Sequence, residues 1–371
     1  MISETAYRIA LINLPGIGNL YAKLLTEYFK SAELVLKASK KELSKIPGIG
    51  DVLLSILCNK TLKAKAMERA RAEIKFAEKY GISIWGYDHE KYPIKLKECN
   101  DSPFLVYYRG TPYLNFTKIV SIVGTRKATG YGEELTRKII EEFENQDILV
   151  VSGLAYGIDS YAHKFSLEYN IPTVGVLAHG LDKIYPQKNR AMAKKMLTNG
   201  GLISEFMSGT NPERENFPKR NRIVAGMSDA TVVVEATSKG GALITANIAN
   251  SYGRDVFAAP GRIIDPYSRG CNALIKSNRA ALIESGEDVL KAMNWITIEP
   301  KNKKKENNLF NQFTDEELLI IQAIQSKGIA NKNQVAFHLN TSVQKVSYLL
   351  FNLELNGIIK ALPGDNYQMK I

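Results

Sequence analysis

Cysteine and histidine are scarce in this chain, and their placement removes two large classes of chemistry. The three cysteines, Cys58, Cys99 and Cys271, are odd in number, far apart and free of any C-x-x-C spacing. That pattern fits reduced thiols in a cytosolic protein and argues against a disulfide framework. The four histidines, His89, His163, His179 and His338, form no H-E-x-x-H or related spacing, so no metal site and no metal catalysis are expected. Long apolar runs are missing as well: nothing approaches the roughly 18 consecutive apolar residues that a spanning helix needs. The amino terminus, MISETAYRIALINLPGIG, lacks the basic-then-apolar layout of a signal peptide. A cytoplasmic protein without membrane contact is the expectation.

Two cofactor fingerprints are also absent. The turn after the apolar run KIVSIV has no G-x-G-x-x-G, and the next strand ends in Val151-Ser152-Gly153 with no acidic residue for a ribose hydroxyl. From Gly124 to Gly130 the spacing is one residue too long for a P-loop, and Tyr131-Gly132 stands where Lys-Ser/Thr belongs. Nicotinamide, flavin and P-loop ATP chemistry are disfavoured, and no cofactor is expected.

Positive charge is what the chain has in excess. Its 371 residues carry 49 Lys and Arg against 38 Asp and Glu, a formal net charge of +11. Such a surface favours polyanions. At about 100–200 residues per domain, the length implies two or three domains.

Residues 1–62 read as short helices interrupted by LPGIG (14–18) and IPGIG (46–50). Glycines there permit a tight hairpin and let the next helix's first N–H groups approach a phosphate, as in helix-hairpin-helix modules, although plain interhelical turns explain them equally well. A charged helix over 66–79 leads to the strand-like ISIWGYD and FLVYYRG. Between 118 and 261, strand-like KIVSIVG, ILVVSG, PTVGVLA, LISEF, ATVVVEA and DVFAAPG alternate with helical patterns. That alternation predicts a doubly wound, mostly parallel α/β sheet of Rossmann type within a domain over 63–298. A lysine-rich linker is expected over 299–313, and three helices followed by a hairpin around Pro363-Gly364 predict a winged helix over 314–371.

In a doubly wound sheet ligands bind beyond the carboxyl ends of the strands. The loops there include Gly124-Thr125-Arg126-Lys127, Ser152-Gly153 with Gly157, and Thr237-Ser238-Lys239-Gly240-Gly241. Ser152, His163 and Asp159 suggest a nucleophilic trio, but Asp159 and His163 are four apart on one helix, the spacing of a surface or capping pair. No catalytic residue is assigned. The other concentrated signal is NFPKRNRIVAGMS, 216–228. Lys219, Arg220 and Arg222 offer phosphate contacts and Phe217 a ring for a base, the chemistry of single-strand binding, with a hydrophobic staple as the plainer role for Phe217.

The motifs SIVGTRKATGYG, VVSGLAYGIDSYAH, GVLAHGLDKIYPQKN, ISEFMSGTNPERENFPKRNRIVAGMS, VVVEATSKGGALITANIA and VFAAPGRIIDPYSRGCNALI, in that order, resemble the bacterial DNA-processing protein A (DprA/Smf) family. The resemblance implies a single-stranded DNA-binding recombination mediator that protects incoming strands and loads RecA during natural transformation, as a homodimer joined through its central domain. It implies that Gly124, Thr125, Arg126 and Lys127, with Phe217, Lys219, Arg220, Asn221 and Arg222, line the pocket. Gly153, Gly157, Gly240 and Gly241 become positions of close strand approach, and Lys183 and Lys188 flanking phosphate contacts. Two departures stand out: Thr125 replaces a frequent serine, and ALIKSNRAALIE lacks a frequent glycine. The alternative reading is a related enzyme that cleaves nucleotide N-glycosidic bonds. Those enzymes resemble one another in a Pro-Gly-Gly-x-Gly-Thr-x-x-Glu loop, and Ser238–Thr245 here lacks the glutamate. A duplex-binding winged helix is a third reading, weakened because SVQKVSYLLFNL offers only Lys345 as a cation.

Overall fold

Alternating apolar strands and helices organise most of the chain around one sheet in the computed structural model, which describes residues 3–111, 113–296 and 313–369. Two compact units divide at residues 296 and 297.

The first unit opens with helices α1 (Glu4–Ile12), α2 (Asn19–Phe29), α3 (Ala32–Lys37), α4 (Lys40–Leu43), α5 (Asp51–Cys58) and α6 (Lys60–Tyr80). LPGIG and IPGIG are the turns before α2 and α5: Gly16 and Gly48 take φ of +74° and +84°, which suits glycine, and Gly18 and Gly50 cap the helices that follow. Asn59 caps α6 and Gly81, at φ +63°, ends it, so this helix is longer than the expected 66–79. A domain boundary after residue 62 therefore falls inside a continuous helix. Ala66 and Ala70 of α6 share an apolar cluster with Leu11, Leu25 and Leu57, and Phe104 and Leu105 join it.

The sheet follows: β1 (Ser83–Gly86), α7 (Ile94–Lys97), β2 (Leu105–Gly110), β3 (Lys118–Val123), α8 (Gly130–Glu141), β4 (Ile148–Ser152), α9 (Ile158–Glu168), β5 (Thr173–Val176), α10 (Arg190–Met196), β6 (Gly200–Ser204), α11 (Asn216–Gly226), β7 (Ala230–Val233), α12 (Gly241–Ser251), β8 (Asp255–Ala258), α13 (Arg269–Lys276), β9 (Ala281–Leu282) and α14 (Gly286–Ala292). Strand order is β1-β2-β6-β5-β4-β3-β7-β8-β9. The run from β6 to β9 is parallel, and β1 and β2 add an antiparallel edge. Alternate residues of β3 feed opposite cores: Ile119 and Val123 pack on one face, Val120 and Ile122 on the other. This is the doubly wound α/β fold.

One strand begins before its expected start. The sixth starts at Gly200 rather than Leu202 because two glycines let neighbouring backbones close in; a Cβ on Gly200 would meet the Thr173 carbonyl at 2.0 Å and one on Gly201 the Arg109 carbonyl at 2.5 Å. After β3 the chain builds β4, β5 and β6 to one side, then returns to lay β7 and β8 on the other. The switch point, and with it the expected crevice, lies at the carboxyl ends of β3 and β7.

The second unit holds α15 (Asp315–Lys327), β10 (Ile329–Asn331), α16 (Lys332–His338), α17 (Val343–Leu355), β11 (Ile359–Leu362) and β12 (Asn366–Met369). A Thr314–Glu317 capping box starts α15, and Ile320, Ile324, Val335, Leu350 and Ile359 form the core. The winged helix is present, with a third strand, β10, that pairs with β12. The expected linker, apart from Phe313, lies outside the described residues.

Candidate nucleic-acid interface

Beyond β3 the backbone turns through Gly124-Thr125-Arg126-Lys127, and a buried carboxylate shapes that turn. The Thr125 amide donates to the Glu235 carbonyl at 2.8 Å. The Thr129 amide and hydroxyl donate to the two Glu235 carboxylate oxygens at 2.9 and 2.5 Å, and the Lys127 amide to the Thr125 hydroxyl at 3.2 Å. Glu235 thus fills the anion position at the start of α8 that a phosphate takes in P-loop proteins. The amides of Thr125, Lys127 and Thr129 are already engaged, so the expected backbone cradle is largely closed. What this turn presents is the exposed side chains of Arg126 and Lys127.

Two adjoining cavities meet at Arg126, Gly153, Phe217 and Arg220. The larger, about 290 Å³, runs from Thr125 and Arg126 over Asp159 to Thr237, Lys239, Gly240 and Gly241. The other is walled by Tyr156, His179, Tyr185 and Pro186.

Arg220 is the floor of this mouth rather than a phosphate ligand. It is only 4% exposed, its Nη1 donates to the Val176 carbonyl at 3.2 Å, and it lies 3.9 Å from the Asp159 carboxylate. Burial pushes Asp159 above the usual carboxylate range against the opposing pull of the Arg220 charge, and burial likewise lowers Arg220. Gly153 is glycine because a Cβ there would sit 1.3 Å from Arg220 Nη1; Gly157, at φ +74°, faces the Thr125 carbonyl at 2.2 Å. Protein packing accounts for both, as it does for Gly124, whose Cβ would strike Ile158 at 2.4 Å. Gly240 and Gly241 differ: their Cβ positions are 3.5 Å or more from any neighbour, and the loop lies open.

Phe217 does not offer a bare ring. The Arg126 guanidinium lies 5.0 Å from its centroid, Arg220 6.0 Å, and Tyr185 meets it edge-on at 6.3 Å. The available aromatic surface belongs to Tyr156 and Tyr185, each nearly half exposed. Asn221 is buried and donates to the Gly241 carbonyl at 3.3 Å, which ties α11 to the open loop. Arg222 turns away: its guanidinium bonds to the Glu205 carboxylate and the Asp101 carbonyl and is largely buried. Lys219 is exposed but lines neither cavity. Lys183 and Lys188 line a separate groove.

The suggested trio is not assembled. Ser152 donates to the Ile122 carbonyl at 2.6 Å, while His163 Nδ1 is 2.7 Å from the Thr173 hydroxyl. Burial lowers His163 to about 3, so it is neutral and held in the core. Among the described residues no group of three or more His, Cys, Asp and Glu is arranged to hold a metal, and no described helix is long and apolar enough to cross a membrane.

Sequence reasoning did not single out Tyr156, Tyr185, Lys239 or Glu235. Each sits in a recognised loop or strand end, and the signal available was an aromatic or charged residue beside a structural glycine or proline.

The fold and the mouth define a class, a Rossmann-like α/β protein with a cation-and-aromatic crevice at its switch point. The family model for DNA recombination-mediator protein A matches residues 83–294, and the model for a SAM-like helix-hairpin-helix tandem matches 9–54. The chain is 35% identical over 305 residues to Protein Smf of Synechocystis, covering 80% of this chain and 74% of that one. The X-ray structure of DprA from Streptococcus pneumoniae superposes with a TM-score of 0.66 at 32% identity, covering 77% of this chain and 97% of that one. A structure of DNA processing protein A from Helicobacter pylori, described for its single-stranded DNA binding mode, gives 0.53 at 27% identity, covering 58% and 96%. The chain belongs to the DNA-processing protein A (DprA/Smf) family.

Proposed function

We propose that this protein is a non-enzymatic single-stranded DNA-binding recombination mediator that works in the cytoplasm and holds the strand at the mouth described above. The observation that carries this reading is Arg126, exposed beside Phe217 at the switch point, with Lys239 and two half-exposed tyrosines around the same opening. Cations that meet phosphates beside rings that meet bases bind a strand with little regard to sequence, through counterion release and stacking. The relative from Helicobacter pylori, whose structure is described for its single-stranded DNA binding mode, supports the same ligand.

Within this reading Arg126, Lys239, Tyr156 and Tyr185 meet the strand, Lys127 stands exposed beside Arg126 outside both cavities, Gly240 and Gly241 let the strand approach, and Arg220 and Asn221 hold the floor. Protection of incoming strands, loading of RecA during natural transformation, and a homodimer joined through the central domain complete the proposal. An N-glycosidic enzyme is not favoured: the buried Glu235 carboxylate is spent on Thr129.

Fluorescence anisotropy with labelled oligo-dT and an equal-length duplex, each titrated at several salt concentrations, tests the ligand. Tighter, salt-sensitive binding of the single strand supports it, and equal binding of both forms counts against it. Light scattering after size exclusion tests the dimer. RecA filament assembly on strands coated with single-strand binding protein, with and without this protein, tests the loading role.

A further inference from the structure

A second groove lies on the other side of the loop that walls the mouth. About 1,220 Å³ in volume, it runs between the end of α6 and α10 and is floored by Leu181, Leu197 and Leu202. Five cations line it, Arg109, Lys183, Lys188, Arg190 and Lys194, against a single acid, Asp182. Asp182 is already engaged with Lys183 at 3.5 Å and with the Gly209 amide at 3.0 Å. Among the described residues the other four cations have no carboxylate within ion-pair distance. On the α6 wall Phe76 and Tyr80 stand one turn apart with ring centroids separated by 4.7 Å, and Tyr80 is 42% exposed.

We propose that this groove is a continuation of the single-strand path, so that DNA leaving the mouth crosses Tyr185 and lies along α10. The inference rests on the single-strand reading of the mouth. One loop carries it: Tyr185 and Pro186 face the mouth, while Lys183, Ile184, Gln187 and Lys188 face the groove. A polymer is the ligand that can occupy both sides of one loop. Unpaired cations beside paired rings fit its alternating phosphates and bases, whereas an acidic peptide would leave the Phe76–Tyr80 pair without a stacking partner.

The test uses the full chain and two oligo-dT probes, six and twenty nucleotides long, titrated by anisotropy across a range of salt. The triple variant Lys188→Gln, Arg190→Gln, Lys194→Gln is expected to bind the short probe as wild type does. It should lose on the order of tenfold on the long probe, with the salt slope reduced by about 2, roughly 0.7 for each phosphate contact removed. A long probe carrying 4-thiothymidine should cross-link to Tyr80, and the Tyr80→Ala variant should lose that product. Wild-type affinity and slope of the triple variant on the long probe would overturn the proposal and leave the groove to an acidic protein. Equal weakening on both probes would overturn it too, since the cations would then act only as a general field. Arg126→Ala separates the two ideas: if it leaves short-probe binding intact, the mouth reading fails, whatever the groove does.

Discussion

The mouth of the central sheet and the outward face of α17 are the positions at which their two folds ordinarily present a nucleic-acid ligand, and they carry opposite chemistry. At the mouth Arg126 and Lys239 are exposed, and Tyr156 and Tyr185 lie half open beside them. On α17 the exposed large apolar side chains are Val343, Tyr348, Phe351 and Leu355, and the helix's lone cation, Lys345, is paired with Glu316. Fold position nominates both surfaces, but free cations occur at one of them. A recognition helix without them has nothing to set against phosphate, whose neutralisation dominates affinity for DNA. The difference teaches that where charge is already partnered, topology is a poor guide to ligand.

Substitutions can break this contrast, and the largest effect is expected below the mouth. Arg220→Ala leaves Asp159 buried without its counterion, which should cost about 3–5 kcal/mol in urea unfolding. Strand binding should be lost with the floor. Tyr185→Ala should weaken oligo-dT binding by about 1–3 kcal/mol, the range for one stacked base, without moving the unfolding midpoint.

The next effect depends on pH. His163 has its folded pKa lowered to about 3 by burial, so the unfolded chain takes up a proton that the native state refuses. Stability from this group is present above an unfolded pKa of about 6.5 and is lost as pH falls toward the folded value. Between pH 7 and 5 the loss should be about 2 kcal/mol. The difference between wild type and His163→Gln in urea unfolding at the two pH values isolates it. Smallest of all, Phe351→Ala on α17 should change stability by no more than about 0.5 kcal/mol, and oligo-dT affinity should remain that of wild type.

Much of the fold was legible because strands buried on both faces read as apolar runs, as in Ile148–Val151, and because glycines at positive φ marked the two hairpin turns. The site was legible in outline, since the loops after the strands fix its location. Its details depend on partners that local sequence does not name. Helical spacing puts Lys219 and Arg222 on one face, yet Arg222 is taken by Glu205, 17 residues away in sequence. Gly153 and Gly157 looked like gaps left for a ligand, and they are gaps filled by Arg220 and the Thr125 carbonyl. Glu235 escaped notice because a glutamate ending a buried strand shows its purpose only once Thr129 is placed against it. Strand β10 is three residues long, too short for a period to declare itself.

The most direct test of the account is the anisotropy of labelled oligo-dT against wild type and Arg126→Ala over a series of salt concentrations. The account predicts roughly tenfold weaker binding by the variant and a salt slope lower by about 0.7, the loss of one phosphate contact. Unchanged affinity and slope would contradict it, because the exposed arginine over the Phe217 ring would then have no part in holding the strand.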